Sequence, residues 1–131
     1  MATLRLVNYV YTEEGIRSAW ECVAPGGHLS LALSCIAGQW FFERLYWTIT
    51  RATGRPPTAV FTEVHGQTVT FIVAAPEARL DPAELERRRH LRPRNTMEQT
   101  AALTDDWPFL YLRLDVFPWG YAVVLGFVLV L

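Results

Sequence analysis

The chain has 131 residues and a formal net charge of −1, enough length for one domain with a real core and too little positive charge for general nucleic-acid affinity. All twelve basic residues are arginine, which excludes a P-loop lysine and a Schiff-base lysine from this sequence. Cys22 and Cys35 form no CxxC pair, and His28, His65 and His90 lie too far apart for ligand spacing, so no metal site is read.

The opening MATLRLV lacks the apolar core of a signal peptide, which places the globular part on the cytoplasmic side. Thr12 can cap a helix, with Glu13 and Glu14 in the first turn, where carboxylates complement the dipole. Ile16, Ala19, Trp20 and Val23 then form one apolar face, and Pro25-Gly26-Gly27 stops the helix. The run from His28 to Ser34 alternates Leu29, Leu31 and Leu33 with Ser30, Ala32 and Ser34. This reads as a central strand, its small residues leaving room for a helix or ligand. Cys22 and Cys35, on this helix and strand, are expected as buried reduced thiols, with a disulfide as the minor alternative.

A second helix is expected from Gly38 to Thr53, with Phe41, Leu45, Thr48, Ile49 and Ala52 as its stripe and Gly54 beyond its end. Trp40, Tyr46 and Trp47 widen the stripe. Trp40, Phe41, Phe42, Tyr46 and Trp47 could stack a base or ligand, but at helical spacing they fit core and interface packing better. Thr58–Val64 and Gln67–Ala74 read as strands joined by a hairpin at His65-Gly66. Asp81-Pro82-Ala83-Glu84 opens a short polar helix leading into Arg87, Arg88, Arg89, His90, Arg92 and Arg94. That cluster could meet anionic lipid headgroups, or form a solvated face paired with Glu84 and Glu86. His28 and His65 have no carboxylate or cysteine partner in view and read as structural.

The adjacent carboxylates Asp105 and Asp106 precede Trp107-Pro108. One could contact a substrate amine or serve as acid or base; alternatively the pair forms a turn and holds nearby arginines. After Asp115 there is no charge, and Trp119 and Tyr121 stand at the start of an apolar end with Arg113 just before them. As a helix, 119–131 spans about 20 Å, short of the roughly 30 Å hydrocarbon core. This favours a truncated transmembrane helix over a buried strand, and a chain that is a piece of a longer, membrane-linked protein. The element order is helix, strand, helix, hairpin. It implies half of a mostly parallel α/β sheet with a right-handed crossover. The divisions are a sheet domain at 1–76, a polar helix and DDWP segment at 77–115, and the apolar helix at 116–131.

Two stretches carry a family likeness. Tyr11-Thr12-Glu13-Glu14, then a helix, then Ala24-Pro25-Gly26-Gly27-His28-Leu29, resembles the spermidine/spermine synthase-like branch of the class I S-adenosylmethionine-dependent methyltransferase fold. Thr104-Asp105-Asp106-Trp107-Pro108-Phe109-Leu110-Tyr111-Leu112 resembles the TDDWPFLYL segment of bacterial members joined to membrane helices. The likeness covers roughly residues 5–131; the nine-residue run is far more specific than the Pro-Gly-Gly turn.

The resemblance implies the C-terminal half of a Rossmann-like methyltransferase sheet with a terminal antiparallel hairpin. It implies an intact relative that moves an aminopropyl or methyl group from decarboxylated S-adenosylmethionine or S-adenosylmethionine to a small amine. Tyr11 and Thr12 would edge the substrate loop, and Asp105 and Asp106 are the catalytic candidates. The family's glycine-rich loop, ribose-binding acid and catalytic aspartate loop are absent from this sequence, so no cofactor is expected on the chain alone. The resulting expectation is an inactive fragment at the bacterial inner membrane, contacting lipid through its C-terminal segment and able to form a homo-oligomer. The rival is a degenerate, non-enzymatic membrane-associated binding or scaffold module.

Overall fold

The computed structural model describes residues 9–35, 37–62, 68–78, 83, 89–108, 110–111, 123 and 126–127. Helix α1 spans Glu13–Glu21, strand β1 His28–Ser34, helix α2 Gln39–Thr53, strand β2 Thr58–Thr62, strand β3 Thr68–Ala74 and strand β4 Arg89–Leu91. Both helices start and stop where local chemistry directs. Thr12 caps α1 by accepting a bond from the Gly15 amide at 3.2 Å. Gly54 closes α2 in the left-handed region at φ 69°, where its amide bonds the Thr50 carbonyl.

The sheet order is β1-β3-β2-β4, and every neighbouring pair is antiparallel. This overturns the expected half of a Rossmann-like parallel sheet. β1 and β2 each oppose β3 and therefore share a direction, yet they are not neighbours. The return strand β3 enters between them, pairing His28–Ser34 on one side and Thr58–Thr62 on the other. Its sequence suits that place: Val69, Phe71 and Val73 alternate with half-buried positions and are at most 2% exposed. β1 is consequently an edge strand rather than a central one. Its small residues Ser30, Ala32 and Ser34 are exposed, not packed beneath a helix or ligand.

α2 lies over the other face. Its expected stripe of Phe41, Leu45, Thr48, Ile49 and Ala52 is buried, as is Phe42, which stacks on Phe71 at 5.5 Å between ring centroids. Ile16 of α1, with Leu103 and Leu110 from later in the chain, completes this core. Each such side chain contributes roughly 1.5–3 kcal/mol by leaving water.

Two other expectations change. Arg89–Leu91, placed at the end of a polar helix, forms β4 instead, with His90 opposite Val60 and Leu91 opposite Ala59. Leu91 adds apolar surface beside the core, which an isolated polar helix would not supply. Of the predicted helix itself, Asp81, Pro82 and Glu84 lie outside the described residues, as does the His65-Gly66 turn. The predicted terminal transmembrane helix is likewise unsupported: no described helix is long and apolar enough to cross a membrane. Val123, Gly126 and Phe127 are helical, and the rest of 116–131 lies outside the described residues.

Candidate functional site

The Thr12-Glu13-Glu14 turn and the segment at 103–105 meet at the start of α1. Thr12, fully buried, directs its hydroxyl to Asp105 Oδ1 at 2.7 Å across a sequence separation of 93 residues. The Tyr9 carbonyl oxygen stands equally near, at 2.7 Å, so one proton serves two acceptors. The Glu13 amide donates to the Leu103 carbonyl at 2.7 Å, and the Asp105 amide donates to Glu14 Oε2 at 3.1 Å. Backbone and side-chain bonds thus stitch residues 103–105 to the first turn of α1. The acidic first turn explains why: its carboxylates and free amides supply acceptors and donors that an incoming strand-like segment can use.

A second anchor comes from α2. Thr48, fully buried, donates to the Arg44 carbonyl at 2.7 Å and accepts from the Leu103 amide at 3.1 Å. The chain then turns tightly, with the Trp107 amide bonding the Thr104 carbonyl at 2.9 Å. Asp105 and Asp106 occupy the corner of this turn, both exposed. Beyond it Pro108 and Leu110 are buried and Tyr111 stacks on Phe41 at 4.9 Å.

The candidates therefore separate. Thr12 and Asp105 come together, with Thr12 as cap and tether. Tyr11 is half-buried against the core. Asp106 is exposed, and among the described residues it has no hydrogen-bond partner. The expected pairing of this turn with arginines is not seen: Arg17–Glu13 within α1 is the sole ion pair among the described residues. Open concavities of about 250, 300 and 470 Å³ lie elsewhere, and none is lined by Thr12, Asp105 or Asp106.

The aromatic face of α2 is used for packing. Phe41 and Phe42 are core, Trp47 Nε1 donates to the Asn95 carbonyl at 2.9 Å, and the Arg44 guanidinium lies 5.3 Å over the Trp40 ring. Arg92 and Arg94 are exposed. His28 and His90 are exposed, His65 lies outside the described residues, and no described cluster of His, Cys, Asp or Glu could hold a metal.

Cys22 and Cys35 are both free thiols, but Cys22 is exposed, contrary to expectation. Burial pushes the Cys35 thiol up to about 11, which keeps it protonated at neutral pH.

Sequence reasoning missed Glu43, which is 2% exposed. Its Oε1 accepts from Gln39 Nε2 at 2.9 Å, the Arg94 amide at 2.8 Å and the Asn95 amide at 3.3 Å, and its Oε2 from Asn95 Nδ2 at 2.7 Å. Burial alone would raise this carboxyl, but the converging donors outweigh it and hold it below the ordinary carboxylate range. The available signal was a lone carboxylate within an aromatic stripe, with Gln39 one turn before it.

No protein-family model, curated protein or solved structure matches the chain.

Proposed function

We propose that this chain is part of a spermidine synthase-like aminopropyl- or methyltransferase-type protein and is inactive alone. One observation carries the reading. The Thr12–Asp105 hydrogen bond joins the Thr-Glu-Glu stretch to the Thr-Asp-Asp-Trp-Pro stretch, so the two segments that resemble the family form one structural unit. The antiparallel sheet runs against the parallel sheet expected of such a protein, and the reading rests on those segments and their junction alone.

In such a protein the chemistry is an in-line displacement. A bound sulfonium donor would supply an electrophilic carbon to the acceptor amine, with the thioether leaving as the carbon–sulfur bond breaks and the amine giving up a proton. The protein's part is to hold amine and carbon in line, with carboxylates orienting the amine. Asp106, exposed and without a partner among the described residues, is the freer carboxylate for that contact, whereas Asp105 has one oxygen committed to Thr12. That commitment favours the second reading, a non-enzymatic binding or scaffold module, to the extent that the junction is purely structural.

The DNA upstream of Met1 tests the proposal. An in-frame glycine-rich loop and catalytic aspartate support the transferase; an independent start without them supports the module. On either outcome the isolated chain should give no heat when titrated with S-adenosylmethionine, since it lacks the loop and the ribose-binding acid. Micromolar affinity would overturn that expectation.

A further inference from the structure

We infer that the outer edge of β1 pairs with β1 of a second copy of this chain, joining two sheets across a two-fold axis near Leu31. This stands apart from the transferase reading. Its basis is the direction of the backbone groups. The Ala75 amide bonds the Gly27 carbonyl at 3.0 Å, and the register continues as His28 opposite Ala74 and Leu29 opposite Val73. Hydrogen-bonded and non-bonded pairs alternate in an antiparallel ladder, so His28, Ser30, Ala32 and Ser34 turn their amides and carbonyls away from β3. No described strand meets them there. β1 also lacks the usual protection of an edge: it carries no proline, no lysine, arginine or carboxylate, and its register with β3 has no bulge.

The strand is complementary to itself. Antiparallel pairing about Leu31 sets Ser30 opposite Ala32 and His28 opposite Ser34 of the second copy. These are the outward-facing groups, so the parity needed for hydrogen bonding is met. The same register sets Leu29 opposite Leu33 and Leu31 opposite Leu31, covering leucines that are only half-buried in one copy. Charge does not oppose the approach, because β1 has no fixed charge and each chain carries a net −1. An edge contact of this length lies below the roughly 1,200 Å² of durable interfaces, so the dimer is reversible and concentration-dependent.

Sedimentation velocity on the full chain across a concentration series tests this, with Ala32→Lys and Ala32→Pro as variants. Both alter an outward-facing position and leave the β1–β3 bonds intact. The wild type should shift from monomer to dimer, and each variant should weaken that shift about tenfold or more, with an unchanged circular dichroism spectrum. Amide exchange at Ser30 and Ala32 of the wild type should slow as concentration rises, a readout independent of how the variants fold. A monomer at every concentration, a dimer that survives in folded Ala32→Lys, or exchange at Ala32 that ignores concentration overturns the proposal.

Discussion

Glu43 shows how one side chain fixes a distant segment. A carboxylate with four donors around it is stable in the interior only as the anion, and those donors belong to the loop at 94–95 and to Gln39. Glu43→Gln keeps the shape but replaces acceptor oxygen with a donor, and should cost about 1.5–3 kcal/mol in chemical denaturation. The pH dependence follows from the direction of the shift. A carboxyl held below its ordinary value of 4.5 stabilises the fold fully above about that pH, and this contribution is lost as pH falls through the lower folded value. The stability gap between wild type and Glu43→Gln should therefore be widest near neutrality and narrow in acid. A gap that grows as pH falls would contradict the assignment. The cysteines give a second residue-scale prediction. Cys22 should react with a maleimide at neutral pH, while Cys35, buried and protonated, should react only after unfolding. Equal labelling rates in the native chain would show that Cys35 is reachable.

Among the elements, the Thr12–Asp105 junction couples α1 to a turn that helical propensity does not control. Thr12→Ala removes an N-cap as well as the tether and should cost about 1–2 kcal/mol. Asp105→Ala should cost less, since Asp105 is exposed. A double-mutant cycle should return a coupling of about 0.5 kcal/mol or more, whereas strict additivity would mean that the bond at 2.7 Å contributes nothing. Local signals made much of these elements legible. Thr12 with two glutamates marks the start of α1, and Gly38 and Gly54 bracket α2, because caps act within a single turn. The antiparallel pairing of Thr58–Thr62 with Thr68–Ala74 was also visible, since short connections join neighbouring strands. Which side of that hairpin faces β1 was not, because strand order is decided by burial across the whole sheet. The small-residue face of β1 suggested a central strand, yet β3 has the better-buried side chains and takes that place. Arg89–Leu91 lacks helix or strand periodicity long enough to read, and its strand state comes from pairing with β2. Likewise, no spacing rule brings Thr12 to Asp105 across so much chain.

For the whole molecule, one apolar layer forms between α2 and four antiparallel strands, and the segment at 103–108, with Leu110 and Tyr111, lies against the helices. Leu103 and Leu110, at 1% and 3% exposure, anchor that segment in the same core as Phe41 and Phe71. Residues 12–14 and 103–105 thus meet beside the helices. The central proposal is that this junction belongs to a larger transferase-type protein. The most direct measurement is the mass of the native gene product, isolated from its own cells and mapped by peptides. The account predicts a product heavier than 14.9 kDa whose added peptides contain a glycine-rich loop and a catalytic aspartate. A native product of 14.9 kDa that carries neither would contradict it.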